Sequence, residues 1–235
     1  MCLVFAFDHI SGAHFNPAVS FSFWVAGRKS FFKLVGYVIV QVGGGMTGAL
    51  LAYCIAGAKD VEPFKPDNNM AHPLLSAFLV ELMFSFILAF TVQMVSLKNA
   101  EEPNSYFGLA IGFVVLAGAS GAGGISGGVF NPAIGTAVDF ASLLSGGSLS
   151  RLWIYWTAPP LGGLLAGLLT RYFRRAVERE DEEREKLLQR QAEARQQGRA
   201  EPEDDAIWRL PPRVLIMELL GALLFSVSLL SIVLC

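Results

Sequence analysis

Ser11-Gly12-Ala13-His14-Phe15-Asn16-Pro17-Ala18-Val19 recurs in the second half of the chain as Ser126-Gly127-Gly128-Val129-Phe130-Asn131-Pro132-Ala133-Ile134, with six of nine positions identical. In each copy Asn is suited to N-cap a helix, and Pro fits the first helical position, where no backbone donor is needed. An apolar run follows. Each copy therefore predicts a helix start. The first helix runs from Pro17 to about Gly27, a helix-stopping residue. At 1.5 Å per residue that is roughly 15 Å, half of a ~30 Å hydrocarbon core. Two half-length helices, one in each half of an apolar chain, point to a pore.

The surrounding composition agrees. Of 235 residues, 53% are hydrophobic and 16% charged, and the mean hydropathy is +0.49, so lipid is the expected solvent. A net charge of −2 gives no support to nucleic-acid binding. Phe31 to Gly57, Leu74 to Leu97, Tyr106 to about Ala122, Leu152 to Phe173 and Val214 to Cys235 each read as a spanning segment. Gly36, Gly43, Gly44, Gly45 and Gly48 supply a small-residue face for close helix packing in the first of them. Pro159-Pro160 predicts a kink in the fourth. Gly121 to Gly128 reads as too glycine-rich for regular helix. Cys2, Cys54 and Cys235 all fall in apolar segments, and buried thiols are expected rather than disulfides.

Most of the charge lies in one block, Arg171 to Arg213. Within it, Arg174 to Asp205 has helix-favouring residues but almost no apolar stripe beyond Leu187-Leu188, which suits a solvated helix or a disordered linker, with a short coiled coil as the alternative. Arg28, Lys29 and Lys33 precede the first full span, and Arg171, Arg174 and Arg175 follow the fourth, so both ends are cytoplasmic. Counting spans from there, the Asn16 loop enters from inside and the Asn131 loop from outside. The halves are thus inverted repeats, an arrangement that places a site at their interface near the midplane.

On these residues the chain resembles the major intrinsic proteins, the aquaporin and aquaglyceroporin family. The likeness includes Tyr155-Trp156, Pro159-Pro160-Leu161-Gly162, His14 two before the first Asn, and Gln41-Val42-Gly43-Gly44. It implies an all-α membrane protein: a right-handed helical bundle with inverted repeats and two re-entrant half-helices. Residues 1–173 correspond to a channel core lacking its first helix and part of its second, 174–212 to a charged cytoplasmic linker, and 213–235 to a helix like the family's first. Glu218-Leu219-Leu220-Gly221-Ala222-Leu223-Leu224-Phe225 is similar to Glu81-Leu82-Met83-Phe84-Ser85-Phe86-Ile87-Leu88. Val214 to Cys235 is therefore expected beside the bundle, with Glu218 facing the Asn16 loop. A piece cut from tandemly joined channel units and a permuted protein are both compatible with this order.

The resemblance implies a multi-pass membrane channel for water and small neutral solutes, assembled as a homotetramer in the bilayer. The opposing reading is a non-conducting fragment or a regulatory subunit beside intact channels. The pore residues are Asn16, Pro17, Ala18, Asn131, Pro132 and Ala133. Both half-helix N-termini, each about +0.5 charge, meet mid-membrane and repel cations. Both Asn amides are expected to donate to one water oxygen. A lone Asn-Pro would be read as an N-cap and nothing more, but duplication of the whole loop favours the pore. The family's selectivity positions fall on Ile134, commonly Arg, on Gly128 and approximately on Ala119, which predicts a wide filter without a side-chain donor. Tyr155-Trp156 resembles the water-selective branch instead, and Gly135 is not the Asp of many glycerol-conducting members. His14, Glu81 and Glu218 are expected to support the loops. No paired carboxylates, Cys/His ligand cluster or phosphate loop is present in the sequence, so neither an enzyme, a cofactor nor a metal is indicated.

Overall fold

The computed structural model describes residues 1–56, 71–97, 105–197, 213–216 and 218–222. Among these every regular element is a helix: α1 (Cys2–Ser11), α2 (Pro17–Val25), α3 (Phe31–Ala56), α4 (Pro73–Val95), α5 (Phe107–Ser126), α6 (Pro132–Leu144) and α7 (Leu152–Gln196). Met1–Thr170 form one compact unit, and the described residues from Arg171 to Ala222 belong to a second. Four helices, α3, α4, α5 and α7, are long and apolar enough to cross a membrane.

Local chemistry sets the ends. Asn16 and Asn131 adopt extended backbone (φ −151° and −152°) as N-caps, each followed by Pro at the first helical position. α1 and α5 both stop at a left-handed glycine, Gly12 (φ 78°) and Gly127 (φ 93°). The α5 boundary corrects the sequence reading. Helix continues through Gly121, Gly123 and Gly124 to Ser126. A Cβ on Gly118 would lie 2.6 Å from the Phe130 ring, and Gly121 and Ala122 are buried. At Gly118 and Gly121 burial offsets the ~1 kcal/mol propensity cost of glycine.

α7 is continuous through Pro159-Pro160 and on past Phe173 to Gln196, so this part of the charged linker is helix. Its solvated stretch carries an Arg174–Glu178 pair at 3.4 Å. Arg213 pairs with Glu180 in the same unit. The buried-thiol expectation fails at two cysteines: Cys2 and Cys54 are exposed, and Cys235 lies outside the described residues.

Candidate pore

The two repeated loops are locked together by their own asparagines. Asn16 Oδ1 accepts from the Ala18 N–H (2.9 Å), holding the α2 cap, and Nδ2 donates to the Phe130 carbonyl across the repeat (2.8 Å). Asn131 does the converse: Oδ1 accepts from Ala133 N–H (3.0 Å) and Nδ2 donates to the Phe15 carbonyl (3.0 Å). An amide NH₂ has two hydrogens. One per asparagine is committed to the opposite loop, which leaves one for a molecule in the pore. This refines the expectation of amides turned wholly to water.

Presenting those carbonyls requires unusual backbone. Phe15 (φ 49°) and Phe130 (φ 51°) are left-handed, as are Ala13 (φ 43°) and its counterpart Gly128 (φ 62°). Non-glycine residues in this region cost about 1 kcal/mol or more each and persist only where surrounding bonds over-determine them. Those bonds repeat as well. Tyr155 Oη donates to the Ser126 carbonyl (2.8 Å), and Tyr37 Oη donates to the Ser11 carbonyl. Gly163 brings α7 against the Ala18 carbonyl, and Gly45 brings α3 against the Ala133 carbonyl; a Cβ would lie 2.5 Å and 3.1 Å away respectively. Tyr37 and Gly45 are each 118 positions before their partners.

Glu81, fully buried in α4, holds the Asn131 loop. Its Oε1 accepts from Ser126 Oγ (2.7 Å) and Val129 N–H (2.9 Å), and its Oε2 accepts from Phe130 N–H (2.7 Å). Both oxygens of the carboxyl are thus occupied as acceptors, and all three donors come from the one loop. In the other loop, His14 is buried, with Nδ1 3.0 Å from Ser20 Oγ, which also accepts from Gln41 Nε2 (2.9 Å). Its ring packs against Phe23 and Tyr37, and Lys29 Nζ sits 3.8 Å from the Tyr37 centroid. A buried network beneath α2 joins Arg28 to Gln93 Oε1 (2.8 Å) and Gln93 Nε2 to Ser22 Oγ (3.2 Å). Glu218 is exposed, and the described residues give it no hydrogen-bond or ion-pair partner.

A cavity of about 440 Å³ reaches both asparagines; Leu88, Val92, Leu116 and His14 are among its other walls. Apolar walls with a few convergent polar atoms suit a small neutral guest. The structure brings two expected filter positions together, since a Cβ on Gly128 would lie 3.0 Å from Ala119 Cα. Ile134, 43% exposed, stands one turn into the α6 half-helix. Sequence reasoning missed Tyr37 and the carbonyls of Phe15 and Phe130, and it read Gly45 and Gly163 as close-packing positions without their partners in the half-helices. The pairings Tyr37/Tyr155 and Gly45/Gly163 were present in the sequence as a second repeat, offset from the first by three residues.

Four helices long and apolar enough to cross a membrane, together with two half-helices that face each other, define a multi-pass membrane protein. The family model for major intrinsic proteins matches residues 1–170, and the chain belongs to that family. It is 33% identical over 168 residues to Aquaporin TIP2-3 of Arabidopsis thaliana, covering 68% of this chain and 62% of that protein. It is 30% identical over 177 residues to Aquaporin Z of Photorhabdus laumondii, covering 71% and 75%. The fold is similar to the X-ray structure of the aquaglyceroporin from Plasmodium falciparum, with TM-score 0.60, 22% identity, and 70% and 74% of the two chains covered. The chain spans 62% and 63% of the lengths of two plant relatives that it matches.

Proposed function

We propose that the chain forms a passive channel for water and small neutral solutes. The reciprocal Asn16–Phe130 and Asn131–Phe15 bonds carry this reading, because they hold two half-helix N-termini face to face. Each terminus contributes about +0.5 charge, so a cation between them is repelled from both sides. The free amide hydrogens of Asn16 and Asn131 donate to a water oxygen. A water so held points its own hydrogens away along the file and does not relay a proton. No covalent step is involved.

Selectivity is set where Ile134, Gly128 and Ala119 stand. None of the three offers a side-chain donor, so solutes larger than water pass. Gly135 and Tyr155 act as one unit: a Cβ on Gly135 would meet the Tyr155 ring at 2.6 Å, so an aspartate has no room there. Trp156 Nε1 donates to Thr136 Oγ1 (2.8 Å), which ties that indole to α6. These residues pack the half-helix, which is why Tyr155-Trp156 is a weaker guide to the solute than Ile134. Assembly as a homotetramer is part of the same proposal, and light scattering of the detergent-solubilised protein measures it, with four chains per particle expected.

The test is stopped-flow swelling of liposomes holding the protein, in water, glycerol and urea gradients, beside a proton-flux assay. Water, glycerol and urea are expected to pass and protons to be retained. Ile134→Arg is expected to lower glycerol and urea flux about tenfold, the effect of ~1.4 kcal/mol of added barrier, with a smaller effect on water. A parent protein that passes water and excludes both solutes would overturn the wide filter.

A further inference from the structure

The half-helix α6 carries a buried acid that the pore does not use. Asp139 lies eight residues past the Asn131 cap, about 12 Å along the helix, and is 1% exposed. Among the described residues its Oδ2 has no hydrogen-bond partner, and neither has Ser142 Oγ, three residues on and equally buried. Buried carboxylate oxygens are rarely left so. In the first repeat the position 115 earlier is Trp24, so the acid is not part of the duplicated pattern.

The register of α6 against α7 shows what faces it. Gly135 is seated on the Tyr155 ring, where a Cβ would lie 2.6 Å away. At the far end of α6 a Cβ on Gly147 would lie 1.9 Å from Ser142 Oγ, and Gly147 N–H donates to the Ser142 carbonyl (2.9 Å). The two segments are therefore antiparallel, so that moving on from Gly135 toward Ser142 matches moving back from Tyr155 toward Gly147. Four residues on from Gly135 is Asp139, and four back from Tyr155 is Arg151, whose carbonyl accepts from Ile154 N–H (3.0 Å) at the start of α7. Positions four apart share a helix face, which puts Arg151 in the layer of Asp139. Arg151 is half-buried and its charge acts on Asp139, while Asp139, Arg151 and Glu81 all act on the Tyr155 hydroxyl. α3 meets α6 along Ala133 and Ala137, on another side of the helix, and its one charged side chain is Lys33 in its first turn.

We propose that the Arg151 guanidinium clasps Asp139 Oδ2, and that this pair is a latch that positions α6, and with it Ile134, against α7. A carboxylate oxygen lacking a donor and a guanidinium with five donors complement each other, and charge-assisted bonds are the strong ones. The start of α6 is held by Asn131 and, through the loop, by Glu81. Beyond Ile134 its ties to α7 are the Gly135 contact with Tyr155, the Thr136 bond from Trp156 (2.8 Å) and this pair. Without the latch the far end of α6 tilts about the Gly135 contact, and the adjacent Ile134 moves with it. Neither Asp139 nor Arg151 is a wall of the cavity, so both act by positioning. The pairing stands whether or not the chain conducts; its effect on selectivity rests on the channel reading.

The full chain is compared with Asp139→Asn, Arg151→Gln, Arg151→Lys and the double variant Asp139→Asn/Arg151→Gln, in detergent and in liposomes. Each neutral single variant is expected to lower the thermal unfolding midpoint by about 2–4 °C, and the double variant no further than the worse single. Arg151→Lys is expected to recover about half of the loss, since lysine keeps the charge but not the planar fork. In liposomes the glycerol-to-water permeability ratio does not depend on how many molecules fold. It is expected to rise about threefold in both neutral singles and no further in the double. A midpoint that rises in Asp139→Asn would make the carboxylate an unpaired burden, and losses that add in the double variant would make the two residues independent; either result overturns the latch. Coupled midpoints with an unchanged permeability ratio would overturn the positioning of Ile134 and leave the pair. A parent chain that passes no water would overturn the channel reading instead, with the midpoints still deciding the latch.

Discussion

Gly162→Ala is expected to cost about 3 kcal/mol and to leave little folded protein, although it adds a single methyl group. That methyl would stand 2.4 Å from the Leu82 carbonyl and 2.7 Å from the Phe86 nitrogen. Both are backbone atoms of α4, so no rotamer change relieves the clash. The helices must separate, and overpacking of this kind costs typically 1–3 kcal/mol or more. Separation also moves Glu81, one residue before Leu82, away from the loop it holds. Gly124→Ala is the control. Gly124 is an exposed α5 position with nothing within 4 Å, where alanine is expected to be neutral or to stabilise by about 0.5–1 kcal/mol. Thermal unfolding followed by intrinsic fluorescence in detergent separates the two, with an expected fall of roughly 6–12 °C for Gly162→Ala. Equal midpoints for both variants would mean that α4 and α7 are not in backbone contact.

What could be read from the sequence was what a short local pattern carries. Asn16 and Asn131 each cap a helix through bonds to residues two positions on, so the caps and the Pro starts were visible in nine-residue stretches. Spans were legible for the same reason, since length and apolarity are local. The α5 end was misjudged because glycine propensity is local whereas the burial of Gly121, Ala122 and Ser126 is not. The fit of Asn16 Nδ2 to the Phe130 carbonyl, 114 residues away, likewise has no sequence signature, because a carbonyl belongs to every residue. Tyr37 was legible in principle. Its likeness to Tyr155 emerges only once α3 and α7 are aligned with a three-residue shift, the difference between the two loop-to-helix connections.

Glu81 is the other position where a single change is expected to remove function. Glu81→Leu leaves the buried or partly buried Val129 and Phe130 N–H groups without an acceptor, and Ser126 Oγ with only the long 3.5 Å contact to the Ala122 carbonyl. Leaving a buried donor without an acceptor costs about 1–3 kcal/mol, so even with incomplete additivity a loss of roughly 2–4 kcal/mol is expected. The left-handed backbone of Phe130 is then no longer over-determined and relaxes. Its carbonyl leaves Asn16 Nδ2, and one of the two bonds joining the half-helix termini is lost with it. Glu81→Gln is the sharper test because it keeps the volume. A glutamine has one acceptor oxygen and an NH₂ that would face a donor, so at best one oxygen of the pair is replaced. For the fraction that still folds, water permeability per inserted molecule is expected to fall at least tenfold, with proton retention impaired as the facing termini lose their alignment. Normal water flux and proton retention in Glu81→Gln would show that the loop keeps its shape without the carboxylate, and the strained Phe130 conformation would then have to be held by Tyr155 and the Phe84 contact alone.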